Sequence, residues 1–322
     1  MSNIVVIGAG VVGQAVGKGF ARFSHTIVFC DTDKKVRERL QTEGFVALAP
    51  EEFDVPNEIK PDYTMICVGT PTVEGSIDLG HLEKACHTAS MIVKRANGYH
   101  VVVLNSTLPP GTTQEFVIPK LEEWSGKRFR RDFGVCYNPE FLREVSALED
   151  FLNPWAIVIG SSDQQAHSLI KDLYSPLTAG RAVALFETDF KTAEMAKYVS
   201  NIFNATKISF SNEVWLQSNA MGIDGNAVMS IACHTAEGYW NPKYGIKGGY
   251  PYGGVCLPKD TKAFETFANG KGLSVKMLRA TIEVNDSMAA TGGNNGGGNN
   301  GGYQTAEEVF STAEILPHAG ND

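Results

Sequence analysis

Residues 3–7, Asn-Ile-Val-Val-Ile, run straight into Gly8-Ala9-Gly10-Val11-Val12-Gly13. The first stretch reads as a buried strand, and glycine at the first, third and sixth places after it reads as G-x-G-x-x-G opening a helix. Few folds satisfy that order. Gly8 allows a tight turn, Gly10 lets a pyrophosphate approach the backbone, and Gly13 lets the helix pack closely on the strand. A second apolar run, residues 26–29, leads to Asp31. A carboxylate there accepts both ribose hydroxyls of a dinucleotide and repels the extra phosphate of NADP, so the spacing favours NAD. The pattern predicts a Rossmann-type domain in which Gly8, Gly10, Val11, Val12, Gly13 and Asp31 meet the cofactor. Asp33 reads as a helix-start residue instead.

Further strand-like runs follow at residues 63–68, 101–104, 135–137 and 156–159. Loops leaving the carboxyl ends of parallel strands line the ligand crevice. Thr70 and Thr107 lie in two such loops, beside Pro71 and Ser106, and read either as contacts to cofactor or substrate or as ordinary turn and cap hydroxyls. Between the last two runs sits Asn138-Pro139-Glu140-Phe141-Leu142-Arg143-Glu144.

A net charge of −8 without a long basic block argues against nucleic acid as the main partner. No apolar run is long enough to span a bilayer, and no basic-plus-apolar leader precedes Ile4, so a cytoplasmic location is expected. The cysteines at 30, 67, 86, 136, 233 and 256 form no C-x-x-C or zinc spacing, and no metal is expected.

From residue 188 to about 217 one long helix is predicted, with Met195, Tyr198, Val199, Ile202, Phe203 and Ile208 on an apolar face and Lys197 and Asn201 four apart on another. A helix of that length suits a spine that joins domains and offers a dimerisation face. Helices are also predicted from 223 to about 236, with Asp224 near the start, and from 272 to 285. Between them lies Tyr250-Pro251-Tyr252-Gly253-Gly254-Val255-Cys256-Leu257-Pro258-Lys259-Asp260. This puts Cys256 after a glycine bend and just before a helix start, near free N–H groups that favour a thiolate or hold an oxyanion. The alternative is a buried cysteine in a glycine-rich loop. The charges of Lys243 and Lys247, beside Tyr244, either meet a phosphate or solvate a loop.

In this order the Gly8 to Gly13 fingerprint, Cys67-Val68-Gly69-Thr70-Pro71, and the motifs at 106–111, 138–144, 194–213 and 252–260 resemble the UDP-glucose/GDP-mannose dehydrogenase family over roughly residues 3 to 288. The resemblance implies an α/β NAD-binding domain followed by a mostly helical central dimerisation domain. It implies oxidation of a nucleotide-sugar C6 alcohol to the carboxylate with two NAD, UDP-glucose to UDP-glucuronate being the expected case. Carried onto this chain, Cys256 is the nucleophile that holds the C6 aldehyde as a thiohemiacetal and then a thioester. Lys197 and Asn201 stabilise the C6 oxygen, Asp260 assists proton transfer, and Glu140 is the acid/base of hydrolysis with Thr107 holding water. Glu144, Thr70, Pro71, Thr107 and Lys262 fall to the cofactor, although Lys262 also reads as a solvated helix lysine. Phe141, Leu142, Tyr244, Lys247, Tyr250 and Gly253, with Glu140, Lys197 and Asn201, fall to the substrate. Glu144 one turn beyond Glu140 would raise at least one carboxyl pKa if both were buried.

The chain departs from the pattern at Val145 and Val255, where glycine and a small residue are usual, and most of all at its end. After residue 285 the family continues into a second α/β domain that binds much of the nucleotide, whereas here a Gly/Asn run fills 292–302. The domain reading is therefore 1–187 NAD-binding, 188–290 helical, 291–302 linker and 303–322 a short tail, with the C-terminal α/β domain absent. Two functions follow. One is an NAD-dependent nucleotide-sugar 6-dehydrogenase, the other a truncated non-catalytic member that binds NAD and dimerises, with itself or with full-length relatives. A two-domain 3-hydroxyacid or 6-phosphogluconate type dehydrogenase shares the plan but gives the Cys256 segment no role.

Overall fold

The computed structural model describes residues 1–52 and 60–291, and the predicted linker and tail beyond Thr291 lie outside the described residues. Two compact units are present, one over Met1–Ser200 and one beginning at Asn201. That division falls inside a helix, later than the 187/188 boundary read from the sequence.

In the first unit β1 (Asn3–Ile7), α1 (Val11–Ala21), β2 (Thr26–Cys30), α2 (Lys34–Thr42), β3 (Val46–Leu48) and β4 (Tyr63–Ile66) alternate as the sequence suggests. A small hairpin, β5 (Thr72–Val73) and β6 (Ser76–Ile77), turns through Glu74 and Gly75, both at positive φ. Then come α3 (Gly80–Arg95), β7 (His100–Leu104), a π-helical stretch at Thr113–Val117, α4 (Ile118–Ser125) and β8 (Phe133–Tyr137). The unit closes with α5 (Ala147–Leu152), β9 (Ala156–Gly160), α6 (Gln164–Thr178), β10 (Ala184–Thr188) and the start of α7 (Phe190–Ala220).

The eight long strands form one sheet in the order β3-β2-β1-β4-β7-β8-β9-β10. Every pair is parallel except β8–β9, which meet antiparallel at Tyr137 and Gly160. Six parallel strands in that order, with crossovers through helices, are the doubly wound dinucleotide-binding arrangement. Both faces are covered, which explains why the central strands are apolar at almost every position. One core packs α3 and α4 with Leu82, Val93, Leu121 and Phe190, and the other packs α1, α5 and α6 with Phe20, Phe151 and Leu173. Among the strands, β3, β10 and the two of the hairpin escaped the sequence reading. They are two to five residues long and only partly buried, so they carry little hydrophobic signal.

The second unit holds the rest of α7 with α8 (Gly225–Thr235), α9 (Glu237–Trp240), α10 (Cys256–Gly270) and α11 (Lys276–Ala290). Asp224 caps α8, its carboxylate accepting from the Asn226 and Ala227 N–H groups. The last helix starts at Lys276, four residues later than the sequence suggested, because Glu213 of α7 accepts from the free N–H groups of Met277 and Leu278 there. Gln217 donates to the Ser274 carbonyl at 2.7 Å, so α7 fixes where α11 begins.

Candidate functional site

The first unit gathers its functional residues at the carboxyl ends of its parallel strands. Gly8 leaves β1 with φ +90°, and a Cβ there would lie 2.9 Å from the Cys67 carbonyl oxygen. A Cβ on Gly13 would lie 1.9 Å from the Gly8 carbonyl oxygen, so α1 reaches its strand only with glycine at that position. The helix begins at Val11 with Gly10 as its cap, and no side chain satisfies the first N–H groups. Those free donors, with the positive end of the helix behind them, suit a pyrophosphate.

Asp31 stands at the end of β2. Its Oδ2 accepts the Ala9 N–H at 2.6 Å and its Oδ1 the Asp33 N–H at 2.8 Å. Each oxygen keeps a second lone pair, which is what two vicinal ribose hydroxyls require. These groups fit a dinucleotide. Asp33 instead caps α2, accepting from the Lys35 N–H, as its position suggested. Sequence reasoning missed Arg37, whose guanidinium donates to the Asp31 carbonyl at 2.8 Å.

Thr70 and Thr107 are brought together: the Thr70 hydroxyl donates to the Thr107 carbonyl at 2.8 Å. The neighbouring Ser106 hydroxyl donates to the Val68 carbonyl at 2.7 Å. Both threonines are half-buried and Pro71 is exposed.

Lys197, three residues before the end of this unit, is buried. Its ammonium donates to the Glu140 carbonyl at 2.5 Å and approaches Glu140 Oε1 at 3.4 Å, while the Phe141 ring lies 5.4 Å away. Glu140 Oε2 in turn accepts the Leu142 N–H at 2.7 Å. This lysine–carboxylate pair spans 57 residues of sequence. Glu144 does not join it. Residues 138–143 are not helical and Glu144 is exposed, so the condition under which spacing would raise a carboxyl pKa is not met. Val145 beside it is also exposed, so the departure there disturbs no packing.

Arg143 forms a bidentate pair with the buried Asp150, which also accepts the Ser146 hydroxyl. The guanidinium holds that carboxyl far below the usual carboxylate range. An open cleft lies beside this segment, lined among others by Glu140, Phe141, Leu142, Trp155 and Tyr174. Its floor is a polar network the sequence reading overlooked. Asn105 donates to the Asn138 carbonyl at 2.8 Å, and Tyr174 donates to Asn138 Oδ1 at 2.6 Å. Polar residues directly after the apolar strands β7 and β8 were the available signal.

In the second unit Cys256 is the first residue of α10 rather than the residue before it, and its thiol is exposed. The preceding Val255 offers no side-chain cap and is itself exposed, so the helix's first N–H groups remain near the sulfur. The buried thiols contrast with it: burial pushes Cys30 and Cys86 up to about 12 and Cys67 and Cys136 higher still, so they stay protonated. Asp260 pairs with the adjacent Lys259, and Lys262 lies 3.6 Å from Asp286. Asn201 is exposed on α7. Tyr244 is half-buried, Lys247 lies 5.6 Å from the Tyr250 ring, and the segment that includes Gly253 is pinned where the Tyr252 N–H meets Asn285 Oδ1 at 2.6 Å. Among the described residues no cluster of three or more metal-ligating side chains occurs, and no helix is long and apolar enough to cross a membrane.

Comparison with known proteins gives two adjoining family matches: the UDP-glucose/GDP-mannose dehydrogenase family NAD-binding domain over residues 51–178, and that family's central domain over 191–287. The Gly8 to Gly13 turn precedes the first match, but β1 and β2 belong to the same sheet. GDP-mannose 6-dehydrogenase of Pseudomonas syringae pv. tomato is 37% identical over 227 residues, covering 70% of this chain and 51% of that protein. The chain thus spans about half the length of such relatives. UDP-glucose 6-dehydrogenase AglM of Haloferax volcanii is 33% identical over 303 residues, covering 88% of this chain and 69% of that protein. A GDP-mannose dehydrogenase from Pseudomonas aeruginosa, solved as a ternary complex, superposes with a TM-score of 0.78 at 29% identity, over 89% of this chain and 69% of that one. The fold carries an NAD-binding domain with the glycine turn and acidic strand end that NAD needs, and the helical region after it matches as well. The chain belongs to the UDP-glucose/GDP-mannose dehydrogenase family.

Proposed function

We propose that this chain binds NAD through its first unit and associates with a second copy through the apolar face of α7. The observation that carries the reading is the cradle formed by the uncapped start of α1 and the Asp31 carboxylate. Thr70, Pro71 and Thr107 lie in loops that extend this reading toward the nicotinamide end, with Glu144 at the start of a 3-10 turn a further candidate there and Lys262 one for a cofactor phosphate. Self-association is supported by the exposed Met195, Val199, Ile202, Phe203 and Phe210, which follow one another at helical spacing.

Turnover of a nucleotide sugar is the second reading, favoured by the Lys197–Glu140 pair and by Cys256 at the uncapped start of α10. Bound NAD would supply a hydride acceptor. In this reading Lys197 and Asn201 donate to the C6 oxygen as charge develops, and the Cys256 sulfur adds to the C6 aldehyde carbon. Asp260 manages the proton on the resulting oxygen. After the second oxidation Glu140, with Thr107, takes a proton from the water that cleaves the thioester, releasing the thiol and the carboxylate. Phe141, Leu142, Tyr244, Lys247, Tyr250 and Gly253 contact the sugar nucleotide, with UDP-glucose the expected substrate.

The deciding experiment measures NAD binding by calorimetry and NADH formation with UDP-glucose, GDP-mannose and a UDP-N-acetylhexosamine in turn. NAD binding with no NADH from any of the three supports the first reading alone. Saturable NADH formation that is lost in Cys256→Ala supports the second. No NAD binding at all overturns both.

A further inference from the structure

Glu194 exposes none of its surface and belongs to no set of reacting groups named above. Its Oε2 accepts the Gly111 N–H at 2.5 Å, and its Oε1 accepts the Thr113 N–H at 2.8 Å and the Thr113 hydroxyl at 2.6 Å. Three donors converge on its two oxygens, which the ionised carboxylate accepts with no hydrogen of its own to place. Burial pushes this carboxyl up, and Thr113 and the two N–H groups act against that.

Lys197 follows three residues later on α7, about 4.5 Å further along the axis and on the same side. The first turns of α7 are also held by an exposed Lys191–Glu115 ion pair at 3.0 Å, which contributes little in water, by Phe190, and by Ala193, which packs so closely on Gly160 that a Cβ there would lie 2.5 Å from the Ala193 methyl. Small apolar contacts of this kind set the distance between helix and sheet. They resist rotation and sliding poorly. The fork from Gly111 and Thr113 resists both, because its donors sit on a fixed backbone. A slip of one residue would swing Lys197 by about 100° away from Glu140.

The same carboxylate anchors the other partner. Gly111, at φ +99°, ends the segment whose Thr107 carbonyl receives the Thr70 hydroxyl. We propose that Glu194 is a positioning residue: its carboxylate registers α7 against residues 107–113, so that the Lys197 ammonium and the Thr107 loop stand in fixed relation to the C6 oxygen of a nucleotide sugar. Its catalytic meaning rests on the turnover reading above, whereas its geometric content does not.

The test uses the full chain with Glu194→Gln, which sets an amide donor against the Gly111 or Thr113 N–H, and Thr113→Val, which removes one donor of three. Modification of Lys197 by trinitrobenzenesulfonate is followed by peptide mass spectrometry, beside the NAD dissociation constant and Tm. Loss of the fork is expected to raise the Lys197 modification rate by about tenfold in E194Q, and by less in T113V, while the NAD dissociation constant reports separately on any shift of the Thr107 loop. Where the wild type turns over a nucleotide sugar, kcat falls in E194Q while KM holds. A folded E194Q whose Lys197 stays as protected as in the wild type, whatever its Tm, overturns the proposal. If E194Q does not fold, T113V decides by the same reading. A wild type without turnover removes the catalytic reading of Lys197 and leaves the modification result to judge Glu194.

Discussion

Asp31 is the residue at which one side chain separates two cofactors. A ribose 2′-phosphate would place negative charge against a carboxylate that already accepts from the Ala9 and Asp33 N–H groups. NAD is therefore expected to bind more tightly than NADP. Asp31→Ser should narrow that preference by about tenfold, and parallel titrations with the two cofactors check it; equal affinities in the wild type would refute the assignment. His100 shows a different residue-level effect. Its Nδ1 lies 2.9 Å from the Pro61 carbonyl, which only accepts, so Nδ1 carries the proton and Nε2 accepts the Thr64 hydroxyl at 2.9 Å. Burial lowers its pKa from 6.5 to about 4. The unfolded chain takes the proton first as pH falls, so the contribution of this histidine is complete above about pH 6.5 and is lost between there and about pH 4. Urea midpoints at about pH 7.5 and about pH 4.5 should differ less in His100→Gln than in the wild type. An identical drop in both would show that other groups control that window. Asp132, held down to about 2 by Arg131, acts at lower pH and is separable.

At the scale of elements, the contact between α1 and β1 leaves no room for a methyl group at Gly13. Because the obstructing atom is the Gly8 backbone oxygen, the helix or the turn must move rather than a side chain. Gly13→Ala should cost roughly 1–3 kcal/mol and lower Tm by several degrees. It should weaken NAD binding in the same variant, because the displaced turn is also the pyrophosphate cradle. Thermal unfolding and NAD titration of one preparation test this, and unchanged NAD affinity would separate the turn from the cofactor. The long helix α7 carries a carboxylate in each unit that serves another element: Glu194 accepts from Gly111 and Thr113, and Glu213 accepts from the start of α11. Each fixes a segment more than sixty residues away in sequence.

For the whole molecule, the dominant feature is the apolar surface of α7 and of the helices that follow it. Met195, Val199, Ile202 (56% exposed), Phe203 (61% exposed) and Phe210 line one side of α7, whereas Ile208 and Trp215 are exposed on the opposite side of the helix. A contiguous stripe of this kind is costly in water unless another surface covers it. A second copy of the chain, presenting the same stripe, is the expected cover. Sedimentation equilibrium should show a mass that rises with concentration toward the dimer. Phe203→Glu, which places a charge in the centre of the stripe, should shift the association constant by at least about tenfold toward the monomer. A wild-type mass that stays monomeric at every concentration would remove self-association from the proposal.

Local signals made much of this legible from the residues. The strand before Gly8, the helix after it, Asp31 at a strand end, the caps Asp33 and Asp224, and the length of α7 all follow from periodicity or from residues that satisfy free N–H groups nearby. The sheet reversal at β9 and the edge strands β3 and β10 did not, because pairing partners are chosen by the path of the chain through space and not by composition within a short strand. The same holds within the site. Sequence placed Glu140 and Lys197 among the reacting groups by resemblance, yet only folding brings the ammonium onto the Glu140 carbonyl, and folding also sends Glu144 to the surface. Glu194 looks like an ordinary helix glutamate in the sequence. Its role arises because tertiary packing buries it, and a buried carboxylate must find donors wherever the fold supplies them.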